Sequence, residues 1–265
     1  PKKTKSENMK LYNQKIKQII HTLAGIAMIL AVSITINSCK KPDITSEVFD
    51  ASNLRVVNGL RDRTGVKFYL DTFNLTLTGT INFGNVSPIY YVVKSGLRKA
   101  KFYSTVTKDT FAINNIQLDP NKDYTLFLAG DAIAPKFWLT EDDLVSAPPD
   151  KIKIRFANLA LTGGNIDVTI QSQDASLPQP EVSIFSNIAP QSISNYTLAT
   201  VPVSKGNAVI QLHTVRVYEA GTNNLLVTLT GADLRGTDIR TFILTGVAGG
   251  TPALGLSSVR EWLDW

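Results

Sequence analysis

The sequence has few of the residues that hold metals or carry out catalysis. Its 265 residues include one cysteine, Cys39, and two histidines. A single thiol cannot close a disulfide within the chain, and it cannot supply the paired cysteines of a structural zinc site. The sequence also contains no Gly-x-Ser-x-Gly elbow, no His-Glu-x-x-His pair and no phosphate-binding glycine loop. It therefore predicts no catalytic residue, no metal site and no cofactor.

Long apolar runs are equally scarce, and the longest one lies near the start. It extends from Leu23 to Ile36, 14 residues, and follows a basic segment that contains Lys10 and Lys17. A permanent transmembrane helix needs roughly 18 or more apolar residues, so this run is too short for one. A basic segment before a short apolar core is typical of a cleaved export signal, for which Met9 is the expected first residue.

The end of this signal resembles the lipobox of bacterial lipoproteins. Ile36-Asn37-Ser38-Cys39 has a branched aliphatic residue three positions before the cysteine and a small residue directly before it. The resemblance implies cleavage between Ser38 and Cys39, diacylglycerol on the Cys39 thiol and acylation of the new amino group. Two or three acyl chains hold a protein on a membrane, because each buried methylene contributes about 0.8 kcal/mol. The alternative is an uncleaved signal anchor in which Cys39 is incidental.

An excess of either charge is absent once this leader is removed. Residues 1–38 contain six of the 27 Lys and Arg residues and one of the 22 Asp and Glu residues, so 21 of each sign remain. A formally neutral chain has no electrostatic footprint for nucleic acid. The leader predicts a cell-envelope location, and Lys40 directly after the cysteine favours the outer membrane over the inner one.

Short β-favouring runs separated by Gly, Pro, Asn and Asp are abundant. The clearest runs are LRVVNG, VKFYLD, IYYVV, AKFYSTV and YTLFLAG. Their alternation of apolar and polar residues predicts strands with one buried face. We expect an all-β chain with a leader over 1–38 and a tether over 39–53. Two tandem antiparallel, immunoglobulin-like β-sandwich domains follow over 54–147 and 151–265, with Pro148-Pro149 at the boundary.

The second half of the chain repeats the first in order. Arg55-Val-Val-Asn58 matches Arg155-Phe-Ala-Asn158 at an offset of 100, and FGNVSP at 83–88 matches FSNIAP at 185–190 at an offset of 102. The closing segments YTLFLAG and RTFILTG match at an offset of 116. A preserved order with a growing offset predicts two copies of one domain, the second enlarged over 190–215.

Both halves resemble the domain of unknown function 4397, found as one or two copies in bacterial lipoproteins, many from Bacteroidota. The segments that carry the resemblance are LRVVNG, IKIRFANL, VKFYLD, IDVTI, FGNVSP, FSNIAP, KDYTLFLAG and RTFILTG. It covers residues 53–262 and implies a β-sandwich fold and an exported protein. The family brings no established catalytic residues.

Aromatic side chains are the candidate ligand contacts. Trp138 and Trp262 could stack on sugar rings or anchor a protein partner. Arg55 and Arg155 take the same place in the repeat, where a structural salt bridge is favoured over a ligand contact. His213 is expected to be a surface or packing residue of a strand.

The acidic segment Glu141-Asp142-Asp143 has two interpretations. After Thr140 it can form a capped turn facing solvent, because acidic side chains favour the positive end of a helix dipole. It could also bind calcium through its carboxylate oxygens. The capped turn is favoured, because adjacent carboxylates lack the alternating spacing of a calcium loop.

These features predict a non-catalytic binding or adhesion protein, held on the membrane by lipid on Cys39 and facing the surface or the periplasm. Its expected partners are the membrane and a glycan or protein, not nucleic acid. A structural subunit of a surface fibre or envelope complex is the first alternative, since fimbrial lipoproteins also combine a lipobox with two β domains. A hydrolase is the second, because spacing in sequence does not reveal which carboxylates are paired in space.

Overall fold

The structure is a computed structural model, and it describes residues 50–77, 79–149, 151–173, 180–200 and 212–261. Within those residues all regular structure is β-strand, 17 strands in total, so the predicted all-β fold is confirmed. The strands of the first half are β1 (Ala51–Leu60), β2 (Val66–Leu70), β3 (Phe73–Asn74), β4 (Tyr91–Lys94), β5 (Gly96–Ser104), β6 (Thr110–Leu118), β7 (Asp123–Gly130) and β8 (Lys136–Glu141). Those of the second half are β9 (Ile152–Asn158), β10 (Ile166–Ser172), β11 (Val182–Ile188), β12 (Ser192–Ile193), β13 (Thr197–Ala199), β14 (Leu212–Glu219), β15 (Leu225–Asp233), β16 (Ile239–Thr245) and β17 (Gly255–Arg260). None of the described residues belongs to a helix that could cross a membrane.

The first eight strands form a sandwich of two sheets. The inner sheet has the order β4-β1-β7-β8, and the outer sheet has the order β3-β2-β5-β6. In β2 the alternating sequence VKFYL buries Val66, Phe68 and Leu70 and leaves the residues between them half-buried. Phe102 and Leu126 complete the centre of this core. The predicted antiparallel sandwich is confirmed, with one parallel pair, β1 with β7.

The remaining nine strands form a second sandwich on the same plan. Its inner sheet has the order β12-β9-β16-β17, with β13 also on β9, and its outer sheet has the order β11-β10-β14-β15. The pair β9 and β16 is parallel, as β1 and β7 are. This sandwich has its own core, which includes Phe156, Val168 and Phe242. Both sandwiches lie in one compact unit, and the exact domain limits at 147 and 151 stay a prediction.

Asn58 and Asn158 make the same contacts in the two sandwiches. Asn58 Oδ1 accepts a hydrogen bond from Leu60 N at 3.1 Å, and Asn158 Oδ1 accepts one from Ala160 N at 3.3 Å. The amide nitrogen of each donates to a carbonyl oxygen of the segment that leads into the next edge strand, at 3.0 Å in both. The motifs RVVN and RFAN therefore have the same local geometry.

The predicted match between FGNVSP and FSNIAP is wrong. Val86 bridges β1 at the edge of the inner sheet, whereas its predicted match Ile188 is the last residue of β11 in the outer sheet. Ser87 corresponds instead to Ser194, since each hydroxyl accepts a hydrogen bond from an amide of the first strand of its sandwich, at 3.1 and 2.9 Å. The two segments look alike because each contains Asn and Pro, which are common in turns, although Phe185 to Ile188 belong to a strand.

The two inner sheets pack face to face. β1 is buried from Leu54 to Leu60 and β9 is buried along its whole length, because each has its own core on one face and the other sandwich on the other. The contact is a third apolar cluster, formed by Val57, Phe127, Ala129, Ala157, Leu159 and Ile243. Gly59 permits the close approach, since a Cβ there would lie 2.7 Å from Leu159 Cδ1 and 2.8 Å from Leu128 O.

Candidate functional site

An open groove lies along one side of the first sandwich, between the edge strands β3 and β4. Its volume is about 700 Å³, and most of its lining is apolar. The apolar side chains that rim it and are each more than half exposed are Phe73, Leu77, Ile89 and Val92. Neighbouring exposed apolar side chains of this size are typical of a binding surface.

One wall of the groove is formed where the regular ladder of the outer sheet ends after two residues of β3, although Leu75 N and Thr76 Oγ1 still hydrogen-bond to Phe68 of β2. Asn74 Oδ1 accepts hydrogen bonds from Thr76 N at 3.1 Å and from Thr76 Oγ1 at 2.8 Å, which forms a local Asn turn. Leu77 follows in a left-handed conformation, with φ of 38°, and its side chain is exposed. The outer sheet therefore ends in an irregular edge beside β4.

Arg98 lies at one end of the groove. Its Nε donates a hydrogen bond to Lys94 O at 2.9 Å, and its Nη2 donates one to Ser95 O at 2.6 Å. Its Nη1 lies 3.4 Å from Asp71 Oδ2. Lys94, which also lines the groove, has no ion-pair partner among the described residues. The groove thus combines apolar walls with one uncompensated positive charge.

A buried ionic cluster lies between the two inner sheets. Arg155 of β9 places its Nη2 2.8 Å from Glu261 Oε1, within its own sandwich. Its Nη1 lies 2.7 Å from Asp142 Oδ1 of the first sandwich, as an ion pair rather than an aligned hydrogen bond. The same nitrogen donates to Thr140 Oγ1 at 2.8 Å. Arg155 therefore links the two sandwiches through a carboxylate and a hydroxyl.

Hydroxyl groups also hold the two carboxylates of this cluster. Tyr90 Oη and Thr125 Oγ1 donate to Asp142 Oδ2 at 2.8 and 2.6 Å. The second sandwich repeats the arrangement with Glu261, Tyr196 and Thr241. In both sandwiches a threonine of the central inner strand and a tyrosine at the sheet edge converge on the acid that follows the last strand.

The protonation of the cluster follows from its burial. Burial raises the pKa of Asp142 to about 6, the guanidinium of Arg155 opposes the rise, and the carboxylate of Glu261 adds to it. Burial also raises the pKa of Tyr90 and of Tyr196, and the neighbouring carboxylates add to both shifts. Both tyrosines therefore stay protonated and act as hydrogen-bond donors.

Arg55 is placed like Arg155, but no carboxylate among the described residues forms an ion pair with it. Its guanidinium carbon lies 3.9 Å from the centre of the Tyr90 ring, a cation–π contact. It is buried, and none of the described residues accepts a hydrogen bond from its Nε or Nη1. The predicted structural salt bridge is confirmed for Arg155, whereas for Arg55 the described residues provide an aromatic ring instead.

The predicted capped turn after Thr140 is wrong. Thr140 and Glu141 are the last residues of β8, and Asp142 is buried rather than facing solvent. Asp142 N donates to Asp123 O at 2.7 Å, which continues the β7–β8 ladder by one residue. Lys136–Glu141 pairs with β7 along its whole length, and this pairing outweighs the local preference for a capped turn.

The residues predicted to contact a ligand are not brought into one described site. Trp138 of β8 is half-buried and packs against the apolar cluster between the sandwiches. Trp262 and Cys39 lie outside the described residues, so these assignments stay predictions. His213 is fully buried in β14, in keeping with a packing role. No group of three metal-binding side chains occurs among the described residues.

In the comparisons with known proteins, one family model matches part of the chain. Residues 52–169 match the model of a domain of unknown function, DUF4397. The match covers the first sandwich and continues into β10 of the second. No curated protein matches the chain. Among solved structures there is a similarity to CBMbc, a module of family CBM26 from Eubacterium rectale Amy13K, in complex with maltoheptaose. That module is 11% identical, the match covers 81% of this chain and 98% of the module, and the TM-score is 0.23, too low to carry over its ligand.

The sequence did not reveal the groove or the ionic cluster. Asp142 and Glu261 lie 119 positions apart, so no local motif contains both. The repeat could have pointed to part of the ionic cluster, because it pairs an arginine with a threonine in both copies. Arg55 lies opposite Thr125 in β1 and β7, as Arg155 lies opposite Thr241 in β9 and β16. The cluster is closed to solvent and joins the sandwiches, whereas the groove is accessible and is the candidate functional site.

Proposed function

We propose that the chain is a non-catalytic binding module of the cell envelope and that the groove between β3 and β4 takes its ligand. The observation that carries this proposal is the concentration of exposed Phe73, Leu77, Ile89 and Val92 around one opening of about 700 Å³. Exposed apolar side chains cost solubility, and monomeric proteins keep them together where they bind a partner. The ligand is a protein segment or a glycan met in the envelope.

We further propose that lipid on Cys39 holds the module on the outer membrane. The support is in the sequence, where a short apolar core ends in Ile36-Asn37-Ser38-Cys39. The chain between Cys39 and β1 is 11 residues long, from Lys40 to Asp50, and it is polar at its start. At about 3.5 Å per residue an extended tether of this length would keep the start of β1 within about 40 Å of the membrane surface.

The two halves are, in this proposal, copies of one domain. Three features support duplication: equal sheet orders, one parallel pair at the same place in each inner sheet, and Arg opposite Thr in both pairs. The two copies differ in how the acid after the last strand is paired. The acid of the second copy, Glu261, pairs with the arginine of its own sandwich, whereas Asp142 of the first reaches across to Arg155.

Site-specific photocrosslinking of the full chain in intact cells tests the proposed function. A photoreactive amino acid at Phe73, in the groove, is compared with one at Ile113, which is also exposed but lies on β6 away from the groove. The proposal expects a discrete adduct from position 73 and none from position 113. Equal adducts from both positions, or none from either, would contradict it.

A structural subunit of an envelope assembly is the second candidate function. The observation in its favour is that β4 is an edge strand, and edge strands can pair with another chain. Size measurement of the chain released from cells by mild detergent separates the two. A regular polymer series would support the structural role, and a single species bearing one bound partner would support the binding module.

A further inference from the structure

The open edge of β4 offers unused backbone hydrogen-bonding groups beside the groove. β4 is antiparallel to β1, with Leu54 opposite Tyr91 and Asn53 opposite Val92. Ser95 N donates to Asp50 O at 2.9 Å, so the hydrogen bonds to β1 fall on the odd-numbered residues. The amide and carbonyl of Val92 therefore point away from β1.

The direction of these groups is supported by an independent contact. Lys94 O, two residues further on and on the same side of the strand, accepts its hydrogen bond from the Arg98 side chain rather than from β1. Arg98 thus occupies the outward carbonyl of Lys94, at the end of β4. Nothing equivalent covers Val92 among the described residues, and its side chain is exposed on the rim of the groove.

The second sandwich shows what the first one lacks on this side. Its outer sheet has the same order, and its edge strand β11 has seven residues, Val182–Ile188. The corresponding strand β3 has two residues, Phe73–Asn74, after which the contacts with β2 are irregular: Leu75 N donates to Phe68 O, Thr76 Oγ1 accepts from Phe68 N, and Ile81 forms a single bridge. The first sandwich therefore lacks a continuous edge strand on this side of its outer sheet.

We infer that the groove binds an extended protein segment that adds as a strand to the free edge of β4. This inference rests on the proposed function and names its ligand class. An added strand would hydrogen-bond to Val92, and every second side chain would enter the groove against Phe73 and Leu77. An acyl chain or a sugar would leave the edge amide without a partner from a matching backbone.

The charge of the groove specifies the segment further. Asp71 is engaged with Arg98, and Lys94 lacks an ion-pair partner among the described residues. The segment that fits has alternating apolar side chains and an acidic residue where it passes Lys94. It has no proline at the positions that face β4, because proline cannot donate to a ladder.

The test uses the purified full chain and a fluorescent nonapeptide of alternating valine and threonine with aspartate at one end. Two forms of the peptide carry N-methyl groups on alternate nitrogens, so that one form is blocked on the edge that faces β4 and the other on the opposite edge. Fluorescence anisotropy measures the dissociation constants. We expect one methylated form to bind about tenfold more weakly than the other, because its methyl groups remove the donor to Val92 O and hold the strand away from Val92 N.

A matched pair of variants locates the hydrogen bonds on the protein. Val92→Pro removes the outward amide, whereas Val92→Ala keeps it and shortens the same side chain. Circular dichroism verifies that both variants keep the sheet content of the parent chain. The inference expects weaker peptide binding with Val92→Pro than with Val92→Ala, and reduced binding at high salt in the parent chain but not in Lys94→Gln.

Each remaining outcome decides between the inference and the proposed function. If Phe73→Glu abolishes peptide binding while both methylated peptides bind equally, the groove is a binding site but strand addition is wrong. If no peptide binds and no adduct forms at position 73 in cells, both the strand-addition inference and the proposed function are wrong. If the free chain forms a dimer that Val92→Pro dissociates, a second copy occupies the edge and a separate partner is excluded.

Discussion

Arg155 of the second sandwich lies 2.7 Å from Asp142 of the first, and both side chains are almost completely buried. A buried charge is stable only when other groups compensate it, so this pair ties the position of one sandwich to that of the other. The candidate site, the groove, lies in the first sandwich, and Tyr90 takes part in both the ionic cluster and the groove. It donates to Asp142 and also lines the groove. The ionic cluster thus holds one wall of the groove.

Replacing Arg155 should destabilise the whole chain. Arg155→Met leaves Asp142 and Glu261 buried without a cation, and breaking such a network costs about 3–5 kcal/mol in free energy of unfolding. Urea unfolding followed by tryptophan fluorescence measures this loss. The control is Arg61→Met, which removes the partly exposed pair with Asp131 and should cost less than about 1 kcal/mol. Equal effects of the two substitutions would show that the cluster does not support the fold.

The stability of the chain should depend on pH through Asp142. Its pKa is about 6 in the folded chain against 3.8 as the ordinary value, so between these values the folded chain binds the proton more tightly. The stabilising contribution of this group is complete below about pH 4 and is lost as the pH rises through about 6, at about 1.4 kcal/mol per unit of pKa difference.

The measurement is the difference in free energy of unfolding between the parent chain and Asp142→Asn, taken from pH 4 to pH 7. Asparagine is neutral at every pH, so other acids that titrate in this range cancel in the difference. The parent should lose stability relative to the variant as the pH rises. A difference that stays constant, or one that grows in favour of the parent, would contradict the assigned shift.

Gly59 should tolerate no side chain, because the two sandwiches approach each other there. In Gly59→Ala the new Cβ would meet Leu159 and the backbone oxygen of Leu128, and overpacking of this kind costs about 1–3 kcal/mol. Gly164→Ala is the control, since no atom lies within 4 Å of a Cβ at that position. Thermal unfolding should separate the two variants. A neutral Gly59→Ala would mean that the sandwiches can move apart at little cost.

Lipid attachment should depend on Cys39 alone. Cells grown with radiolabelled palmitate should label the parent chain, and Cys39→Ser should remain unlabelled and appear at a higher mass because the leader is not removed. Ser38→Ala keeps a small residue before the cysteine and should still be labelled. Labelling that persists in Cys39→Ser would overturn the lipoprotein assignment.

Local patterns predicted the strands well, because alternation along the chain fixes which face of a strand is buried. VKFYL shows this directly, with Val66, Phe68 and Leu70 in the core. The repeated motif RVVN and RFAN also predicted a real correspondence, since its asparagine side chains fix the turn after each first strand. These features depend only on residues close together in sequence.

The candidate site could not be predicted in the same way, because it depends on where the edges of the two sheets of one sandwich lie in space. The free edge of β4 arises from its pairing with β1, which lies far from it in sequence, and Phe73 and Val92 line one groove only in the folded sandwich. The prediction of a capped turn at the acidic segment was wrong for a related reason. Asp142 looks solvated in sequence, and its burial depends on Arg155 of the other sandwich.

The most direct test of the binding module compares Phe73→Glu with Ile113→Glu in the full chain. Both positions are exposed and apolar, so each substitution should leave the melting temperature nearly unchanged, but only position 73 lines the groove. The assay is recovery from cells of the partner identified by crosslinking. The groove proposal predicts that Phe73→Glu loses the partner and Ile113→Glu keeps it. Retention of the partner by both variants would contradict the assignment of the groove as the binding site.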